Sequence, residues 1–257
     1  MTMTDRSATD ASARSPLGHH EGMSLFAVEL GRNLELMRGL RDEDWSAQTE
    51  CPDWDVRRMY LHVLGACESG ASMRELAHQM LTARSYQKAN GGPQEAALSA
   101  TQVAERIDLT PRELVNRFSA VAPRVVRART RMPSLLRRVS LPVDGPVVEK
   151  WSLGYLIDTI YLRDAWMHRV DVSRATAREL VLSPDHDGVI VADVVGEWSR
   201  RHGQPFSLTL TGMAGGSFTA RGGGAADDAM TLDAVEFCRI LAGRAPGDGL
   251  LATIVPF

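Results

Sequence analysis

The chain has 257 residues, room for two domains, with 44% hydrophobic residues and a formal net charge of −3. That balance argues against nucleic acid as a partner. No run of about 18 apolar residues offers a transmembrane helix. Cys51, Cys67 and Cys238 are odd in number and lack C-x-x-C spacing, which argues against a disulfide framework or zinc ribbon and for a reduced, cytoplasmic setting.

In chain order, residues 1–20 are polar, lack the apolar core of a signal peptide, and are expected to form a disordered tail. Residues 23–40 predict an amphipathic helix through Leu30, Leu34 and Met37. After the Cys51-Pro52-Asp53-Trp54 loop, a second helix starts near Asp53–Asp55. Its core stripe is Val56, Met59, Tyr60, Val63, Leu64 and Cys67, and it is expected to run to Lys88 before Gly91-Gly92-Pro93. Residues 94–108 suggest a short helix and a loop. A third helix opens at Thr110-Pro111-Arg112-Glu113, with Thr110 as N-cap, Pro111 at N1 and Glu113 at N3, and ends before Pro133. A Pro- and Gly-containing loop, 133–149, leads to a fourth helix over 151–171. Four long helices predict an up-down bundle over residues 21–175.

Beyond residue 176 the pattern becomes α+β. Strands are expected at Arg178–Ser183, Phe206–Thr211, Ser217–Ala220 and Leu250–Val255, with helices at Asp185–His202 and Thr231–Gly243. The predicted order is β-α-β-β-α-β over 176–257. Neither Gly212–Gly216 nor Gly222–Gly224 has the flanking residues of a phosphate loop.

The strongest hint of chemistry lies in the fourth helix. At about 100° per residue, Asp164, His168 and Asp171 fall on one stripe with Leu153, Ile157 and Ile160. Charged groups on an apolar stripe must be paired or bind a metal. An Asp and a His at i, i+4 suit either an ion pair or two ligands of one metal. His62, on the flank of the second helix's core stripe, is the candidate third ligand, and two His with one carboxylate suit zinc or another first-row divalent metal. Asp171 is placed to orient His168. Arg163 and Arg169 read first as salt-bridge formers, and Trp45 and Trp54 as core plugs.

Asp44-Trp45, the segment Cys51–Arg57 and the segment Leu61–Gly65 around His62 resemble the opening of the mycothiol-dependent maleylpyruvate isomerase family. Arg163–Asp171 resembles that family's second metal segment, and Leu241-Ala242-Gly243-Arg244 its late turn. The resemblance spans about residues 24–257. It implies a DinB-like four-helix bundle holding a divalent metal, usually zinc, on His62, Asp164 and His168, and a C-terminal domain of sterol-carrier-like shape. It implies mycothiol as cofactor, the thiol of GC-rich actinobacteria, in keeping with a chain that has only two lysines, Lys88 and Lys150. Arg244 is the match for a catalytic arginine that would hold a substrate carboxylate, and Arg169 and Arg244 are expected at the cofactor. The family typically has Glu where this chain has Asp164, and Gly where it has Asp53.

The activity implied is thiolate attack on a small, carboxylate-bearing electrophile, ending in cis–trans isomerisation or S-transfer. Alternative readings are a thiol-independent hydrolytic or biosynthetic enzyme on the same scaffold, and a non-catalytic small-molecule binder. Monomer and homodimer are both open. The protein's own cysteines are poor nucleophile candidates, because Cys67 lies on a core stripe and Cys238 within a packed helix.

Overall fold

Capping residues set most helix boundaries in the computed structural model, which describes residues 8–143, 149–220 and 229–257. The elements in chain order are β1 (Thr9–Asp10), α1 (His19–Gly39), α2 (Val56–Ala71), α3 (Met73–Asn90), α4 (Gln94–Ala104), α5 (Pro111–Thr130), α6 (Ser134–Arg137), β2 (Ser140–Val143) and β3 (Glu149–Ser152). There follow α7 (Leu153–Tyr155), a π-turn (Leu156–Ile160), α8 (Tyr161–Thr176), α9 (Val189–His202), β4 (Phe206–Thr211), β5 (Gly216–Ala220), β6 (Met230–Asp233) and α10 (Ala234–Leu241). The chain divides into a helical unit, Gly18–Glu179, and an α+β unit, Leu180–Phe257 with the segment before Gly18. This is the two-domain α+β class read from the sequence. Among the described residues no helix is long and apolar enough to cross a membrane.

The helical unit is a bundle of α1, α2, α5 and α8, in which α5 packs on α1 and α2, and α8 on α1 and α2. Val56, Met59, Tyr60, Leu64, Leu114, Phe118, Val125, Trp166 and Val170 make its dry centre. Thr110 caps α5 through the full reciprocal box with Glu113. The single long helix expected from Asp55 to Lys88 is instead two. Ser72 is extended (φ −149°, ψ 117°) and its side chain caps α3 by accepting from the Glu75 N–H. Ser72-Met73-Arg74-Glu75 carries the N-cap and N3 residues of a capping box, a helix start hidden inside the apolar periodicity. The chain then turns back as α3 and α4 against α2, where buried Arg106 binds Glu68 and Glu75 at 2.7 Å each.

The expected helix over 151–171 also begins differently. Trp151 and Ser152 pair in β3 against β2, and the 144–148 part of the loop lies outside the described residues. The π-turn then breaks the helical period, because an i→i+5 turn carries an extra residue and rotates every later position about the helix axis. Leu153 is therefore out of register with Asp164 and His168, and the single stripe drawn from the sequence does not exist across the turn. Close packing holds the π-turn: a Cβ on Gly22 of α1 would lie 2.4 Å from the Asp158 carbonyl oxygen. The Asp158 carboxylate meets His19 Nδ1 at 2.7 Å and Arg137 Nη1 at 3.3 Å.

In the α+β unit four strands run β1-β5-β4-β6. Phe206, Leu208 and Leu210 alternate inward from β4. Trp198 of α9 meets Phe206 at 4.8 Å and Phe237 of α10 at 5.3 Å between ring centroids. Four expectations are corrected here. Residues 178–183 form no strand; Thr9–Asp10 takes the edge of β5, pairing in parallel with Phe218–Thr219. That pairing also orders part of the tail expected over residues 1–20, of which 1–7 lie outside the described residues. Residues 230–233 join the sheet beside β4, and Asp233 rather than Thr231 caps α10. Residues 249–252 form a 3₁₀ turn where a last strand was expected. There Val255 N–H donates to Leu241 O and Trp198 Nε1–H to Leu250 O, which ties the segment to helices and not to a sheet edge. Gly222–Gly224 lies outside the described residues.

One ion-pair cluster ties the chain after α1 to the end of α8. Asp44 accepts from the Arg41 N–H at 2.8 Å and from Arg178 Nη2 and Nε at 2.6 and 3.1 Å. The Arg41 amide and the Arg178 guanidinium hold its carboxyl well below the usual carboxylate range, against the opposing effect of burial. A folded-state pKa depressed in this way gives stability that is complete above the unfolded value, near 4, and is lost as pH falls through the folded one. Asp44→Asn is expected to lower the melting temperature near neutral pH. The gap to wild type should close in acid; a gap that widens there would contradict the pairing.

Candidate metal centre

The loop before α2 is built to aim one aromatic ring. Trp54 N–H donates to Cys51 O at 3.0 Å, closing a turn, and Thr49 Oγ1 donates to Trp54 O at 2.6 Å. Asp55 then caps α2 by accepting from the Arg58 N–H at 2.7 Å. Among non-glycine described residues only Ala177 has positive φ, so Asp53 sits in a backbone any residue adopts and glycine is not required there. The result is Trp54 lying over His62, with centroids 4.8 Å apart and planes 33° from parallel, and 6.0 Å from His168. Trp45 is the buried plug expected, 6.1 Å from Tyr60. Trp54 is half-buried and walls the centre instead. Nothing in its spacing distinguished it from Trp45.

His62 on α2 faces Asp164 and His168 on α8. His168 Nε2 lies 3.1 Å from Asp164 Oδ1, and His62 Nε2 lies 3.9 Å from Asp164 Oδ2. One ligand atom from each of the three residues lies within 4.8 Å of the others. Ligands held at about 2.0–2.1 Å in a tetrahedral shell are about 3.4 Å apart, so small side-chain adjustments close this set around one cation. The shorter Asp164 side chain is still close enough to both imidazoles for this. One nitrogen of each imidazole is buried without a hydrogen-bond partner. His168 Nε2 is buried and, although close to Asp164, has no directed hydrogen bond; His62 Nδ1 is likewise buried and unbonded. At the far side of the ring, His168 Nδ1 meets Asp171 Oδ2 at 3.4 Å, and Asp171 is fully buried. A carboxylate on Nδ1 fixes the tautomer that leaves Nε2 free to bind a metal.

Burial works to raise the pKa of Asp164, but the His168 charge and the contacts with His168 and His62 outweigh it, and the carboxyl titrates below its usual range. Burial works to lower that of His168, and Asp164, then Asp171, drive it upward. The carboxylate is therefore anionic throughout the physiological range. Two imidazoles and an anionic carboxylate, with coordination positions left over, fit a catalytic zinc or a similar divalent ion.

The family profile described as "Mycothiol maleylpyruvate isomerase N-terminal domain" matches residues 26–173, more than half of the chain and most of the bundle. The chain belongs to this mycothiol maleylpyruvate isomerase family. Two crystal structures resemble it, one of the mycothiol-dependent maleylpyruvate isomerase and one of a histidine-to-alanine mutant. Each has a TM-score of 0.57 at 15% identity, covering 90% of this chain and 93% of the other. At that identity the likeness is one of fold. No curated protein matches.

Two further residues of this family member were singled out in the sequence, Arg169 and Arg244. Arg169 follows His168 on α8 but is buried against α1. Its Nε and Nη2 donate to the two oxygens of fully buried Glu29 at 2.7 and 3.1 Å. Asn33 Nδ2 adds a bond to Glu29 Oε1 at 2.9 Å. Arg169 is thus placed as the bidentate partner of a buried carboxylate, the salt-bridge reading of the sequence. Arg244 belongs to the α+β unit, in the turn after α10. Its N–H donates to Arg239 O at 2.8 Å, beside Gly243 with φ +74°.

Proposed function

We propose that the protein is a mycothiol-dependent isomerase with His62, Asp164 and His168 as metal ligands, acting on a small carboxylate-bearing electrophile of the maleylpyruvate type. The observation that carries this reading is the convergence of two imidazoles and one carboxylate from α2 and α8, with a buried His168 Nε2 that has no directed hydrogen bond. These residues would hold a divalent cation, zinc by its preference for this donor set, which would supply the Lewis acidity that favours the thiolate form of a thiol. Mycothiol, when bound, would supply a nucleophile able to add reversibly to a cis double bond conjugated to a carbonyl, the chemistry a cis–trans isomerisation needs. The chain's own residues do the rest. Asp171 orients His168, Trp54 screens His62 from water, and Arg244 enters from the resemblance alone as a residue for the substrate carboxylate.

An external thiol also agrees with the state of the chain's own. Cys67 is buried on α2 and its thiol is pushed up to about 12, chiefly by burial. Cys238 is buried too, and Cys51 is half-buried in the Trp54 turn.

Zinc-loaded protein is expected to isomerise maleylpyruvate only with mycothiol present, to lose that activity to a chelator, and to regain it with zinc. Product mass separates an isomer from a product that has kept the sulfur. Protein that binds no zinc at micromolar concentration would overturn the centre. Zinc-loaded protein without mycothiol binding in calorimetry would overturn the thiol part alone.

A further inference from the structure

The bundle core contains a buried guanidinium that makes no ion pair among the described residues, although the Asp164 carboxylate acts on it electrostatically. Arg129, in the last turn of α5, is 3% exposed. Its guanidinium carbon lies 3.8 Å from the centroid of the Tyr161 ring and 4.7 Å from that of Phe26. Gly70 of α2 provides its berth: a Cβ there would come within 2.8 Å of Nη2 and 2.9 Å of Nε. Nη1 is shut off from solvent without a hydrogen-bond partner. Three of the four other buried arginines are matched by acids: Arg106 by Glu68 and Glu75, Arg169 by Glu29, Arg239 by Glu236. A buried guanidinium without a counter-ion is expensive, and aromatic rings offset only part of that cost.

Its position gives the unpaired guanidinium a meaning. Tyr161, which covers the guanidinium, precedes Asp164 by three residues on α8, so the two are neighbours on one helix face. Both are only partly buried in a helix that is otherwise almost wholly enclosed. With rings against its plane, the guanidinium can bind further only through its N–H edge, the geometry that takes a carboxylate in two parallel hydrogen bonds.

We propose that Arg129 is a carboxylate anchor of this site, binding one anionic end of a substrate whose reacting carbon lies toward His62, Asp164 and His168. The inference rests on the isomerase reading for the identity of that substrate, but anion binding by Arg129 is testable without it.

The probe is maleate, titrated calorimetrically into the full-length protein with and without zinc. Wild-type protein is expected to bind maleate. Arg129→Met should weaken that binding by at least about tenfold, the loss of one charge-assisted interaction, with zinc stoichiometry unchanged. Gly70→Ala keeps the charge but fills its berth, and should weaken maleate binding in the same direction; it serves if the Arg129 variant does not fold. Wild-type protein that ignores maleate, or a folded variant of either kind that binds it as wild type does, would overturn the anchor. Loss of zinc binding in wild type would instead sink the metal centre and leave the maleate result standing.

Discussion

His168→Ala is expected to abolish zinc binding and isomerase activity together while leaving a folded bundle. Changes to groups that merely orient a ligand typically cost 10–100-fold in metal affinity, so removing a ligand should cost more than about a hundredfold. The same change withdraws the nearest partner of Asp164, leaving His62 at 3.9 Å. Breaking a buried pair from one side costs about 3–5 kcal/mol. Here the lower end applies, because the Asp164 side chain keeps 25% of its surface exposed. His62→Ala should empty the centre at a smaller cost in stability. Asp171→Asn should weaken zinc binding without eliminating it, since it acts on Nδ1 alone. Metal analysis of the three purified variants, with circular dichroism to establish folding, decides the matter. Stoichiometric zinc in folded His168→Ala protein would remove His168 from the ligand set.

The second large effect is expected at Arg169. Arg169→Met leaves the Glu29 carboxylate at the centre of the bundle without its bidentate partner, and should destabilise the protein by about 3–5 kcal/mol. For a chain of this size that corresponds to roughly 10 °C or more in melting temperature. Replacing both ends, Glu29→Met with Arg169→Met, removes the buried charges together and should recover most of the loss. Asn33 Nδ2 still has the Glu29 and Ala165 carbonyls as acceptors in that double variant. Chemical denaturation of the two single variants and the double completes the cycle. An Arg169→Met protein as stable as wild type but deficient in mycothiol binding would return Arg169 to the cofactor role read from the sequence.

The residues that were legible share a property: their signal is local. The capping box of α5 needs only Thr110, Pro111 and Glu113, and the Asp164–His168 spacing needs only the helical period. The failures were also local signals, overruled by neighbours distant in sequence. Thr231 and Asp233 are both acceptable N-caps, and the open edge of β4 decided between them by drawing residues 230–233 into the sheet. Ser72 carried a helix start that the continuing apolar pattern concealed. The π-turn could not be foreseen, since its support is Gly22, His19 and Arg137, all remote from Asp158 in sequence.

By itself the sequence determined that the chain holds a helical bundle followed by an α+β unit, and that an Asp and a His one turn apart lie in its last long helix, because periodicity and caps are short-range properties. Only the tertiary structure decided which groups face that pair. It set His62 and Trp54 against the two ligands, turned Arg169 toward Glu29 and left Arg129 without an ion pair among the described residues. These are matters of which helix faces meet and how closely. They depend on packing volume, on a glycine at position 70 or 22 that admits a neighbour, and on a single extra residue in the π-turn that resets the face of everything after it.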